Sequence, residues 1–145
     1  MDIIQATEKD TEAVTKLALM LWPEHSFEEL FEDFYNMIED QNSAVFLASE
    51  KNKFIGFAQC QLRFDYVEGT ESSPVGYLEG IYILTDYRQM GIGRKLVSEC
   101  ELWSKMNGCT EFASDVEMDN PESYQFHIKI GFKEKNRVIC FAKKM

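Results

Sequence analysis

The chain has 145 residues, 15 of them basic and 25 acidic, for a net charge of −10 near neutral pH. That length suits one domain, residues 1–145, with a core that needs no staples, and the acidic balance argues against a nucleic-acid partner, whose affinity comes from Lys and Arg neutralising phosphates. No run approaches the ~20 apolar residues of a membrane span, and the start Met1-Asp2-Ile3-Ile4-Gln5 is no signal peptide, so a soluble cytoplasmic protein is expected.

Ile3 to Gln5 reads as a short edge strand. From Asp10 to Trp22, Val14, Leu17, Ala18 and Leu21 recur at helical spacing, and Pro23 ends the run. Ser26 with Glu29 predicts a capping box, and Phe27, Leu30, Phe31, Phe34 and Ile38 form the apolar stripe of a second helix. Ala44 to Ser49 and Phe54 to Phe64 read as strands joined by the polar turn Glu50-Lys51-Asn52-Lys53. After a polar loop from Gly69 to Pro74, Val75 to Leu84 is nearly all apolar, as in a central strand. Gly80 inside it is a candidate bulge. A helix to about Lys105 turns Ile92, Leu96, Val97, Cys100 and Trp103 inward. There follow a strand at Glu111 to Ser114, a helix from about Pro121 to Ile130, and terminal strands at Phe132 to Glu134 and Val138 to Ala142.

The four cysteines, Cys60, Cys100, Cys109 and Cys140, sit apart in apolar segments, which predicts buried free thiols. With His25 and His127 the only histidines, no metal site is expected.

The run Tyr87-Arg88-Gln89-Met90-Gly91-Ile92-Gly93-Arg94-Lys95-Leu96 links a strand to a helix. Its glycines remove side chains that would block a phosphate, and the first helical turn offers unpaired N–H groups to an anion. A Rossmann fingerprint would need a third glycine at Leu96, and a Walker A loop would need Gly-Lys-Ser/Thr. The alternative is a glycine turn that only caps a surface helix. The remaining pattern, Arg-x-x-Gly-x-Gly, resembles the acetyl-CoA pyrophosphate loop of the GCN5-related N-acetyltransferases. The element order β-α-α-β-β-β-α-β-α-β-β is similar to that family's, and so is the helix end from Ser123 to Phe132. Phe64 to Ile83 and Cys109 to Asp115 further resemble the bacterial aminoglycoside 6'-N-acetyltransferases.

The resemblance implies an α/β (α+β) fold with a mixed, mainly antiparallel sheet and helices on both faces. It implies acetyl transfer from acetyl-CoA to the 6'-amino group of an aminoglycoside by direct attack in a ternary complex. The cofactor would be held by backbone groups of Gln89, Met90, Gly91, Ile92, Gly93 and Arg94, and by Ile81, Tyr82 and Ile83, with Asn120 as a further contact or simply a helix cap. Trp22, His25, Tyr66, Glu79, Asp115 and Asn136 would line the substrate site, and a homodimer is implied. Other cationic amines as acceptors, or acetyl-CoA sensing without catalysis, are the rival readings.

The residues themselves add a chemical argument. An acceptor amine is mostly ammonium near neutral pH, since amines titrate near ~10.4, and a nearby carboxylate can hold the cation and help remove its proton, directly or through water. Glu79, in an apolar strand, is costly to bury unpaired; a substrate cation or a structural ion pair would account for it. Asp115 follows a strand at the edge where a sheet opens to ligand, and is the stronger candidate for proton handling. Glu117 and Asp119 beyond it read as a solvated loop. Two departures stand out. His127 takes the place of a tyrosine that protonates the coenzyme A thiolate in many relatives, either as a donor or as an exposed histidine. Where the aminoglycoside enzymes that the chain resembles carry an acidic residue, it has Asn136, which would weaken one contact to a substrate ammonium.

Overall fold

The computed structural model describes residues 1–145. Strand β1 (Asp2–Gln5) precedes helices α1 (Thr11–Leu21) and α2 (Phe27–Glu39), then strands β2 (Ser43–Glu50), β3 (Lys53–Arg63) and β4 (Val75–Ile83). Helix α3 (Ile92–Met106), the short strand β5 (Phe112–Ala113) and helix α4 (Pro121–Lys129) complete the regular elements. The sheet order is β1-β2-β3-β4-β5, antiparallel throughout except for the parallel pair β4 and β5.

Helices cover both faces of this sheet, which explains why its central strands read as continuous apolar runs. Along β2, Ala44, Phe46 and Ala48 pack with Leu96, Val97 and Cys100 of α3, while Val45 and Leu47 pack with Val14, Leu17 and Phe34 of α1 and α2. The helix starts follow local chemistry: Ser26 Oγ accepts from the Glu29 N–H at 3.2 Å, and Asn120 Oδ1 accepts from the Ser123 N–H at 3.1 Å. Of the α2 stripe, Leu30 and Phe34 are buried, whereas Phe31 is 36% exposed and stacks on Phe27. α2 rolls that edge of its stripe toward solvent.

Two features position the site. In β4 the register slips against β3: Gln59 faces Gly80 and Cys60 faces Leu78, so Glu79 has no partner and is the bulged residue, beside the glycine suspected from sequence. β5 pairs with β4 only at Gly76 and Tyr77, and beyond them the two strands part. β5 is correspondingly shorter than the four-residue strand expected.

The expected terminal strands are absent. Residues 133–145 run without ladder partners, and Val138, Ile139 and Phe141 are 66%, 82% and 92% exposed. A β-prone composition without a partner makes no sheet. Cys140 shares that exposure, contrary to expectation, whereas Cys60, Cys100 and Cys109 are buried and all four are free.

Candidate active site

The turn before α3 is built for close approach. Gln89 has φ 62° and Gly91 φ 81°, left-handed values that a glycine adopts without strain. No backbone N–H from Gln89 to Arg94 donates to a backbone acceptor in the chain, so this first turn presents a row of unpaired donors. A Cβ on Gly91 would stand in open space. A Cβ on Gly93 would instead lie 2.8 Å from the Phe126 ring, so Gly93 serves the packing of α4 on α3 as well as the turn. Arg88 is pinned at the start of the turn by its Nε, which donates to the Ile83 carbonyl at 2.8 Å, with Glu122 3.8 Å from its Nη1. Arg94 donates to the Lys129 carbonyl at 3.1 Å.

Ile81, Tyr82 and Ile83 lie in the part of β4 that β5 has left, so one edge of their backbone faces the gap. Their side chains serve the core: Ile81 and Ile83 on the α3 side, Tyr82 on the α1 side. The two roles expected for this segment, core for side chains and edge for backbone, are compatible.

On the α1 side of β4 the acidic residues meet. Arg63, the last residue of β3, makes two hydrogen bonds to Glu79, from Nε at 3.0 Å and Nη2 at 2.7 Å. The same guanidinium lies 3.4 Å from the centroid of the buried Tyr77 ring. The Tyr77 hydroxyl in turn donates to the Asp115 carboxylate. Glu79 and Asp115 are therefore the ends of one chain of contacts, Glu79–Arg63–Tyr77–Asp115. Burial and the hydrogen bond to Asp115 push the Tyr77 phenol well above its ordinary pKa, so it stays a donor. Burial opposes the Arg63 charge, but Glu79 outweighs it and raises the guanidinium pKa. The structural ion pair weighed for Glu79 is thus present. Bidentate pairing still leaves carboxylate lone pairs for a second cation.

Trp22 follows α1 and reaches the same face: a Cβ on Gly80 would lie 2.5 Å from its ring. The indole is anchored against Phe34 and Phe57, with centroids 6.4 and 6.3 Å away. Tyr66 sits in the loop after β3 with 76% of its surface exposed, beside a shallow recess of about 430 Å³ that Phe64 and Ser73 also line. That recess includes neither Glu79 nor Asp115. Asn136 docks on this loop, donating from Nδ2 to Glu68 at 2.7 Å. His25 stands apart in the turn between α1 and α2, its nitrogens 3.5 Å from Glu24 and 3.8 Å from Glu29.

His127 is half-buried against Phe126 and Phe132 rather than exposed. Its Nδ1 lies 2.8 Å from the Ser123 carbonyl, which can only accept, so Nδ1 carries the proton. In the neutral ring Nε2 then accepts from Ser114 Oγ, also at 2.8 Å. With its Nδ1 on the Ser123 carbonyl, His127 meets Ser114 Oγ through Nε2.

Sequence reading thus missed Arg63, Tyr77 and Ser114. The available signals were modest: Tyr77 stands two residues before Glu79 on one strand face, and Ser114 directly precedes Asp115. Nothing local ties Arg63 to either. No group of three or more His, Cys, Asp or Glu side chains is arranged to hold a metal, and no helix is long and apolar enough to cross a membrane.

Comparison with known proteins agrees with this architecture. The model of the Acetyltransferase (GNAT) family matches residues 11–132. Aminoglycoside N(6')-acetyltransferase type 1 of Acinetobacter haemolyticus is 36% identical over 145 residues, covering 100% of this chain and 99% of that protein. The enzyme of the same name from Stenotrophomonas maltophilia is 40% identical over 140 residues, covering 96% and 90%. The solved structure of AAC(6')-Iy in complex with the bisubstrate analog CoA-S-monomethyl-acetylneamine superposes with a TM-score of 0.95 at 36% identity, covering 99% of this chain and 98% of that one.

Proposed function

The chain belongs to the GNAT acetyltransferase family, and from that premise we propose that it is an aminoglycoside 6'-N-acetyltransferase acting by direct transfer in a ternary complex. The observation that carries this reading is the pair of carboxylates, Glu79 and Asp115, held together where β4 and β5 part. An acidic face there suits a polycation, and aminoglycosides carry several ammonium groups on hydroxyl-rich rings. The relatives named above act on this class of drug by their names.

The cosubstrate, acetyl-CoA, supplies a thioester activated toward amines. The residues present fit it: unpaired N–H groups from Gln89 to Arg94, open space over Gly91, and the basic side chains Arg88 and Arg94 suit a pyrophosphate. The free backbone edge of Ile81, Tyr82 and Ile83 suits the pantetheine arm, and one of its N–H groups can stabilise the developing oxyanion. Asn120 caps α4 with Oδ1 and keeps its amide nitrogen for the cofactor.

On the acceptor side, Glu79 holds a substrate ammonium beside Arg63, and Asp115 positions the reacting amine and takes its proton. Trp22 and Tyr66 offer ring faces to the sugars, and Asn136 and His25 line the rim. Single-domain organisation over residues 1–145, a cytoplasmic location, and the absence of nucleic-acid or membrane partners complete the reading, with the acidic net charge in support. So does a homodimer. Its support is the apolar surface of Val138, Ile139 and Phe141, which a second copy would cover; sedimentation as a monomer at micromolar concentration would remove it.

The deciding experiment offers kanamycin, tobramycin, spermidine and a lysine peptide to the purified protein with acetyl-CoA and follows thiol release. Turnover confined to the drugs is expected. Turnover with only the polyamine or peptide would move the substrate class, and cofactor binding without turnover would make the protein a sensor.

A further inference from the structure

We propose that Tyr77 is a positioning residue for acetyl transfer, acting through Asp115. This rests on the aminoglycoside acetyltransferase reading above and deepens it. The side chain is 6% exposed and fills space next to Val67 and Val75, so its ring has a packing role that phenylalanine would fill equally well. What phenylalanine would lack is the hydroxyl, and that hydroxyl spends its one proton on Asp115. Asp115 itself is exposed, just after a two-residue strand, with no backbone donor fixing its carboxylate. A carboxylate so placed would sample several rotamers, each costing orientation at the reacting amine. The Tyr77 hydroxyl selects one of them from a rigid, buried base.

The ring has a second partner that makes this base sturdier. Arg63 lies on the Tyr77 face and grips Glu79 with two hydrogen bonds, so the carboxylate that holds a cation and the carboxylate that takes a proton share one scaffold. The Tyr77 ring is buried, and its hydroxyl proton is committed to Asp115. Its effect must pass through Asp115, which makes the idea testable by a thermodynamic cycle.

The experiment compares wild-type protein, Tyr77→Phe, Asp115→Asn and the double variant, each checked by thermal unfolding and by calorimetry with acetyl-CoA. With kanamycin as acceptor, Tyr77→Phe alone should lower kcat by about tenfold to a hundredfold, the range for losing a hydrogen bond to a charged acceptor. It should leave acetyl-CoA affinity unchanged and unfolding cooperative. In the Asp115→Asn background the same change should alter kcat by no more than about twofold, because the group it positions has lost its role. Equal losses in both backgrounds, or a Tyr77→Phe protein without a cooperative unfolding transition, would overturn the proposal. Should the wild type accept only a polyamine or peptide, the substrate reading fails instead, and the cycle is run with that amine.

Discussion

At the turn before α3 the groups offered to a ligand are backbone N–H groups without partners, whereas at the parting of β4 and β5 they are side-chain carboxylates already held by Arg63 and Tyr77. The first region is made by conformation and depends on which residues lack a side chain. The second is made by contacts between residues up to 38 positions apart in sequence. The difference teaches where each end is vulnerable: the cofactor end to steric filling, the acceptor end to loss of a single hydrogen-bonding atom.

The largest expected effect lies at the acceptor end. Asp115→Asn keeps shape and removes charge, so turnover should fall by roughly 10²–10⁴-fold, as for other positioned acid–base groups. The deficit should narrow as pH rises and more of the amine is already neutral. Steady-state kcat measured across pH checks this, and wild-type turnover near neutral pH would hand the base to Glu79, water or bulk solvent. Glu79→Gln should act mainly on the drug's KM.

At the cofactor end the two glycines should separate. Gly91→Val meets no neighbour but forces a β-branched residue to a left-handed φ; acetyl-CoA affinity should drop more than tenfold in a protein that still unfolds cooperatively. Gly93→Val drives a methyl into the Phe126 ring. Overpacking of about 1–3 kcal/mol should then lower the melting temperature by about 3–10 °C. A wild-type melting temperature in Gly93→Val would show that α4 yields freely.

The aromatics sharpen the contrast further. Tyr66→Ala, at a mostly exposed ring, should raise the drug's KM several-fold without touching stability, whereas Trp22→Ala also removes packing on Phe34 and Phe57 and should both raise KM and lower the melting temperature. Added salt should weaken drug binding steeply, because the attraction between polycation and acidic cleft is screened.

The smallest effect concerns Glu111, which accepts from the Ser72 hydroxyl and the Glu71 N–H and thereby ties the loop before β4 to the start of β5. The Ser72 hydrogen bond, first, and then the Glu71 N–H hold its pKa below the usual carboxylate value. A depressed folded pKa gives stability that is present above the unfolded pKa and lost as pH falls through the folded one. Glu111→Gln should therefore lower the melting temperature slightly at neutral pH and not at all below the carboxylate range.

The same contrast explains how much was legible in the sequence. The sheet, both helical layers and the glycine turn announce themselves through period, caps and missing side chains, all local signals. Glu79 and Asp115 stood out because a carboxylate in or beside an apolar strand needs a reason. Their partners did not, since an Arg ending a strand and a Tyr inside one are unremarkable until the register brings them together. The packing role of Gly93 was hidden in the sequence because its neighbour Phe126 lies 33 positions away. The C-terminal segment misled for the opposite reason: its residues favour a strand, but residues 133–145 pair with none.

The unpaired residue of β4 has a consequence for how fold and chemistry are divided. Tyr77 and Gly80 lie on the α1 face, and Leu78, Ile81 and Ile83 on the α3 face. Without Glu79 those residues would alternate regularly, each still on its present side. The strand thus carries one residue more than its ladder can count, and that surplus residue is the carboxylate. Its removal would make the β3–β4 register regular and keep both cores in phase. Here the acidic group stands outside the alternation that builds the two cores, and what ties it to the scaffold is Arg63.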